Sequence, residues 1–387
     1  MTIENLDLIC FSHLRWNFVY QRPQHLLSRF SKITRLFYIE EPYFEDGPEQ
    51  CQVTNSEENI WIVVPQLSRG LSEAEIVSHQ EKLLTDFFVK MSIEKYLFWY
   101  YTPMSLSFSK GFHPQLVVYD CMDELSAFKF APQSLKDNEQ ELLKMADLVF
   151  TGGYSLYEAK KDLHPSIYAF PSSIDKEHFS KARSADIEPA DQSGISQPKI
   201  GFYGVIDERL NIDLVGEMAS RKPEWNFIII GPVVKIDQAT LPRFSNIYYL
   251  GSKSYQELPS YLSGWNVAII PFALNESTRY ISPTKTPEYL SAGKPVVSTS
   301  IRDVVHDYGH TEFVHIADTA EGFIEAISKE LSETDRSSWT SRVDEFLQNN
   351  SWNNTWDEMV RLINQKLSNK TQENTLHNLN SKENIYV

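Results

Sequence analysis

The sequence predicts an α/β protein made of two doubly wound, mostly parallel sheets. Three observations predict it. Short apolar runs of strand length alternate with longer amphipathic runs along the chain. The series breaks once, over the polar stretch 182–198 that holds EPADQSGISQP, and then begins again. The length, 387 residues with 42% hydrophobic and 13% aromatic content, suits two cores better than one.

The elements follow in order. Leu6–Phe11 reads as a buried strand, followed by a loop over 12–20 and a helix from about Pro23 with Leu26, Leu27 and Phe30 inward. Leu36–Ile39, Ile60–Val64, Tyr96–Tyr100, Leu116–Tyr119 and Leu148–Thr151 read as further strands. Helices are expected at Glu73–Glu94, Gln133–Ala146 and Ser155–Leu163. After the break, Lys199–Tyr203, Asn226–Ile230, Ile247–Leu250 and Val267–Pro271 restart the alternation. Ser351–Leu367 reads as a last helix, with Trp352 and Trp356 as core residues. These readings divide the chain into a first domain over 1–180, a linker over 181–198 and a second domain over 199–350. The helix over 351–367 follows, and the polar tail over 368–387 is expected to be disordered.

The formal charge of −16 argues against nucleic acid as a partner, while leaving room for a local basic pocket. Cys10, Cys51 and Cys121 are too few and too scattered for a disulfide framework or a metal knuckle, which suggests a reducing compartment. The first apolar run is short and lacks a basic lead, and no run approaches the roughly 18 apolar residues of a membrane span. A cytoplasmic location is expected, with at most peripheral contact at the membrane inner face.

The densest signal is Ser282–Thr299, SPTKTPEYLSAGKPVVST. Ser282 suits a helix N-cap, Pro283 the first helical position and Gly293 the left-handed residue that ends a helix. Val296, Val297 and Thr299 then read as a buried strand. Lys285 and Glu288 are three apart and share a face. A cation beside free helix N–H groups suits a phosphate, and a carboxylate one turn on can accept hydrogen bonds from a ribose diol. Spacing alone favours a plain solvent-exposed ion pair, worth about 0.3–0.5 kcal/mol; the segment's resemblance to a known family reverses that balance.

The segment resembles the nucleotide-binding helix of retaining glycosyltransferases with two facing Rossmann-like domains (the GT-B architecture, family four). Their pattern S-P-x-K-x-x-E-Y-x-A-x-G-x-P-V-V is met by Ser282, Pro283, Lys285, Glu288, Tyr289, Ala292, Gly293, Pro295, Val296 and Val297. Upstream, IYAFPSSIDKEHF is similar to the family's P-N-G-V-D-x-x-x-F through Pro171, Ile174, Asp175 and Phe179, with Ser172 and Ser173 in place of asparagine and glycine. The resemblance implies two domains facing across a cleft and a last helix that crosses back to the first. It implies transfer of a sugar from a nucleotide-diphosphate sugar to a glycan or lipid-linked acceptor, with retention, in surface polysaccharide synthesis. The nucleotide sugar is then the donor substrate, and neither a cofactor nor an essential metal is expected.

The resemblance, together with the residues' own chemistry and their places at strand ends and helix starts, suggests roles. Gly204 and Gly231 end strands of the second domain, and Arg209 stands near the family's basic position, so that Arg209 and Lys285 would clamp the diphosphate. Ser282, Thr286 and Arg279 are further donor contacts, and Glu288 would hold the ribose. In the first domain, Arg15, Trp16 and Arg22 in the region of WNFVYQRPQHL face the acceptor side, and His25 is structural. Asp120 stands roughly where relatives place a histidine near the transferred sugar. Asp120 and Asp123 could each bind sugar, act as a base or metal pair, or, for Asp123, cap a helix. The family's glutamate eight positions before Glu288 is Tyr280 here, and whether Glu276, further upstream, takes its place is left open. That departure keeps open a catalytically silent binding or assembly subunit, and the scaffold also serves nucleotide-sugar 2-epimerases. A dehydrogenase is disfavoured, because no strand leads into a full G-x-G-x-x-G turn.

Overall fold

Side chains alternate between two cores along Asp7–Phe11. Leu8 and Cys10 join one apolar cluster, and Ile9 and Phe11 the other, as a sheet covered on both faces requires. In the computed structural model, which describes residues 1–128, 131–184 and 188–383, this strand is β1 of a nine-stranded sheet. The others are β2 (Leu36–Ile39), β3 (Tyr43–Phe44), β4 (Gln50–Asn55), β5 (Trp61–Leu67), β6 (Tyr96–Tyr100), β7 (Leu116–Cys121), β8 (Leu148–Thr151) and β9 (Ile167–Ala169). They lie in the order β3-β5-β2-β1-β6-β7-β8-β9, with β4 antiparallel on β5. A second sheet, parallel throughout, holds β10 (Lys199–Tyr203), β11 (Asn226–Ile230), β12 (Ile247–Gly251), β13 (Val267–Ile270), β14 (Val296–Ser298) and β15 (Val314–Ile316). Its order is β12-β11-β10-β13-β14-β15.

The strand order reverses beside β1 in one sheet and beside β10 in the other. Crevices open at the carboxyl ends of strands at such switch points, and there ligands bind in doubly wound sheets. The two halves meet around this region. Tyr20 stacks on Tyr255 at 4.4 Å, Ser172 Oγ donates to the Ser282 carbonyl at 2.7 Å, and the Ser155 N–H donates to Asp303 at 2.9 Å. The last helix packs Trp352, Met359, Leu362, Ile363 and Leu367 into the first sheet's core, and His25 stacks on Trp352 at 4.6 Å. The chain therefore does cross back, and both tryptophans pack as expected, Trp352 buried and Trp356 beside it.

Three expectations are corrected. The helix after the Ser282 loop runs Lys285–Ser291 and starts at Thr284, so Ser282 does not cap it. Pro283 instead lends its carbonyl to the Thr286 N–H. The C-terminal end is as expected: Gly293 has φ +76°, and the N–H groups of Gly293 and Lys294 close on the Leu290 and Tyr289 carbonyls. The last helix continues to Glu383 rather than giving way to disorder after 368, and 384–387 lie outside the described residues. Of the linker expected over 181–198, residues 185–187 also lie outside them; the rest includes the short helix Ala190–Ser193.

Candidate active site

Two glycines bring the backbone close at the switch point. Gly204, at the end of β10, has φ +144°, and Gly231, at the end of β11, has φ +143°. Both conformations favour glycine. A Cβ on Gly231 would collide with the Gly204 carbonyl, and one on Gly204 would collide with Lys285 Cε. The first turn of the helix Lys285–Ser291 thus lies against bare backbone. Lys285 is half-buried, and its Nζ lies 5.7 Å from the Phe272 ring centroid and 5.9 Å from that of Phe202. Among the described residues its ammonium has no hydrogen-bond or ion-pair partner. Burial, with Arg209 nearby, holds its pKa below the ordinary 10.5.

Glu288, one turn on, is buried, and its Oε2 accepts a hydrogen bond from the Tyr203 hydroxyl. Burial raises its pKa above the ordinary 4.5, against the pull of Tyr203 and Lys285. Arg209 is already paired. Its guanidinium grips buried Asp207 at 2.7 Å and 2.9 Å, and it lies 5.6 Å from the Phe128 ring centroid. The expected clamp is therefore one unpartnered lysine beside one neutralised arginine.

On the opposite wall, Arg22 and Asp120 are both buried and satisfy each other. The Arg22 guanidinium donates to the Asp120 carboxylate at 2.8 Å and 3.1 Å and to the Phe170 carbonyl at 2.8 Å. Asp120 lines neither cavity and cannot touch a sugar from this position, which corrects its expected catalytic role. Asp123 faces the cleft instead. It is half-buried, its carboxyl has no hydrogen-bond partner among the described residues, and burial pushes its pKa up to about 6 against the pull of Arg209 and Arg22.

Two adjoining cavities result. One of about 180 Å³ is lined by Arg22, Asp123, Arg209, Ser282, Lys285 and Glu288. One of about 730 Å³ lies over the ends of β10, β11 and β12 and takes in Trp16 and Gly231. Gly204, Tyr203 and Tyr255 border both. Three other expected residues stay outside. Arg279 is exposed and pairs with Glu276 at 3.6 Å. Arg15 is exposed and spends its charge on Glu40 at 2.9 Å. Thr286 is fully buried and faces neither cavity. Tyr280 packs against the first sheet's core, so the residue standing where the resembled family has a glutamate serves the contact between halves; Glu276 is exposed and pairs with Arg279. Sequence reasoning missed Tyr20, Tyr203 and Tyr255. Tyr203 was signalled by its place at a strand's carboxyl end; Tyr20 and Tyr255 meet only through tertiary packing.

Two doubly wound sheets facing across a cleft make this chain a protein of the GT-B architecture, and its second half is similar to glycosyltransferases. Residues 197–333 match the family model for group 1 glycosyl transferases. The chain is 25% identical over 289 residues to TuaH of Bacillus subtilis (strain 168), named as a candidate teichuronic acid biosynthesis glycosyltransferase; the match covers 69% of this chain and 72% of that one. Among solved structures, sucrose-phosphate synthase from Thermosynechococcus elongatus superposes with a TM-score of 0.69 at 14% identity, covering 94% of this chain and 100% of the other. Anabaena HepE, solved with UDP and glucose, gives 0.65 at 12% identity, covering 92% and 99%.

Proposed function

We propose that the protein transfers a sugar from a nucleoside-diphosphate sugar to a carbohydrate or lipid-linked acceptor, in the synthesis of a surface polysaccharide. The observation that carries this reading is the unpartnered ammonium of Lys285, held against the Gly204 backbone and one turn from Glu288. As the bond from sugar to diphosphate breaks, negative charge gathers on the phosphate oxygens. A fixed cation in a confined site stabilises that charge more than water would. Lys285 supplies it, and Arg209 adds a smaller field because Asp207 already offsets its charge. Glu288 takes a ribose hydroxyl, the nucleoside extends into the larger cavity, and Asp123 meets a hydroxyl of the transferred sugar or the acceptor. Residues 1–180 form the acceptor half and 199–350 the donor half, with departure and attack on the same sugar face. HepE's bound UDP and glucose and TuaH's name are consistent with this chemistry. Among the described residues no helix is long and apolar enough to cross a membrane, so a lipid-linked acceptor would be met at the membrane surface.

A thermal-shift screen across nucleoside diphosphates and their sugars tests the reading. A ligand at a hundred times its dissociation constant stabilises by about 2.7 kcal/mol. Product anomer and activity in a chelator test retention and metal independence. The second reading, a silent binding subunit, is favoured by one observation: Tyr280 is committed to packing where a sugar contact was expected. Release of nucleoside diphosphate from a donor, even slow hydrolysis, would count against it. Product formed without an acceptor would point instead to an epimerase.

A further inference from the structure

Glu288 reaches the cleft through a second side chain. Tyr203 closes β10, is buried, borders both cavities and donates its hydroxyl to Glu288 Oε2. The donor is held from several sides. The Tyr203 ring packs edge-on to Tyr289 at 5.0 Å and parallel to Phe179 at 6.5 Å, and the Tyr203 N–H donates to the Tyr289 hydroxyl at 3.0 Å. These contacts fix the ring and backbone without using the Tyr203 hydroxyl. The hydroxyl's one partner is Glu288 Oε2, and among the described residues no group bonds Oε1.

We infer that Tyr203 is a positioning residue for donor binding: its hydroxyl anchors one oxygen of Glu288 and keeps the other available to a ligand hydroxyl in the cleft. This rests on the reading of Glu288 as the ribose contact. Such a bond favours the charged carboxylate, because a hydroxyl donates better to an oxygen bearing charge. The charged and titratable groups around Glu288 are Tyr203 from β10, Lys285 and Tyr289 from its own helix, and Tyr255 from the loop after β12. Burial works against the carboxylate, and Lys285 and Tyr203 work for it. Removing the Tyr203 hydroxyl leaves burial opposed by Lys285 alone, so Glu288 takes up its proton at a higher pH.

The test is calorimetric titration of UDP, GDP and ADP across pH 5–9 into the wild-type protein, Tyr203→Phe and Glu288→Gln. Wild-type affinity should fall as pH falls through the Glu288 ionisation. In Tyr203→Phe that acid limb should move up by about one pH unit, since a hydrogen bond to a charged group is worth about a tenfold change in an equilibrium. A second variant guards against a folding defect: 3-fluorotyrosine at 203, a stronger donor of nearly equal size, should move the limb down. If neither variant moves the limb while Glu288→Gln removes it, the role of Tyr203 is overturned and that of Glu288 stands. If Glu288→Gln binds like the wild type with the same limb, or if none of the three nucleotides binds, the underlying reading of Glu288 fails as well.

Discussion

On the first-sheet wall of the cleft, Arg22 and Asp120 are buried together and use each other's hydrogen-bonding capacity. On the second-sheet wall, Lys285 and Glu288 lie one helical turn apart and do not meet: Glu288 accepts from Tyr203, and Lys285 Nζ, set over the Phe202 and Phe272 rings, has no hydrogen-bond or ion-pair partner among the described residues. Both pairs place opposite charges in poorly solvated surroundings, but only the first is closed. A closed pair has little left to give a ligand and mainly fixes the helix Arg22–Phe30 to β7. An open pair leaves charge exposed to the cleft, a cost the folded chain retains when a ligand can complete it. Charge type and position alone did not separate the two cases, and the sequence made Asp120 and Lys285 alike candidates for contact with the donor.

The contrast can be broken from either side. The largest effect should come from Asp120→Ala, which strands the Arg22 charge in the core. Breaking a buried pair costs about 3–5 kcal/mol, readable as a lowered denaturation midpoint. Lys285→Met should do the opposite: turnover falls about 10²–10³-fold while the unfolding midpoint holds or rises, because an unpaired buried charge is removed. The pH dependence has a defined sign. Lys285 must be protonated to hold a diphosphate, and burial lowers its pKa from 10.5, so affinity should fall as pH rises through a limb below that value. Lys285→Arg, which stays charged, should abolish this limb. Glu288→Ala should weaken nucleotide binding by at least tenfold, the loss of a hydrogen bond to a charged group being about 1.5–3 kcal/mol. The smallest effect should come from Arg279→Ala: the residue is exposed outside both cavities, and stability should change by no more than about 0.5 kcal/mol with affinity unchanged. A tenfold loss of affinity there would show that the Asn275–Ile281 loop moves onto the ligand.

Much of this was legible in the sequence because local pattern fixed it. Buried parallel strands are continuous apolar runs, so β1, β2, β6, β10, β11 and β13 were placed within a residue or two. Gly293 occupies the left-handed conformation that its place at a helix end foretold. The short edge strands β3, β4, β9 and β15 escaped because they are half-exposed and carry no clear period. The start of the Lys285–Ser291 helix was misread because Ser282 and Pro283 have the chemistry of a helix start, but Ser282 is tied by its carbonyl to Ser172 of the other half. The pairing of Arg22 with Asp120 spans 98 residues of chain, and that of Arg209 with Asp207 depends on a side-chain orientation. Neither leaves a mark in spacing, so both arginines looked free.

On the proposed function, the Lys285 ammonium in the cleft is the diphosphate contact. Calorimetric titration of the nucleoside diphosphate that stabilises the wild type, run in parallel with Lys285→Met and Arg279→Ala at neutral pH, tests it most directly. At least a tenfold loss of affinity is expected for Lys285→Met and none for Arg279→Ala. Equal affinity in the wild type and Lys285→Met would contradict it.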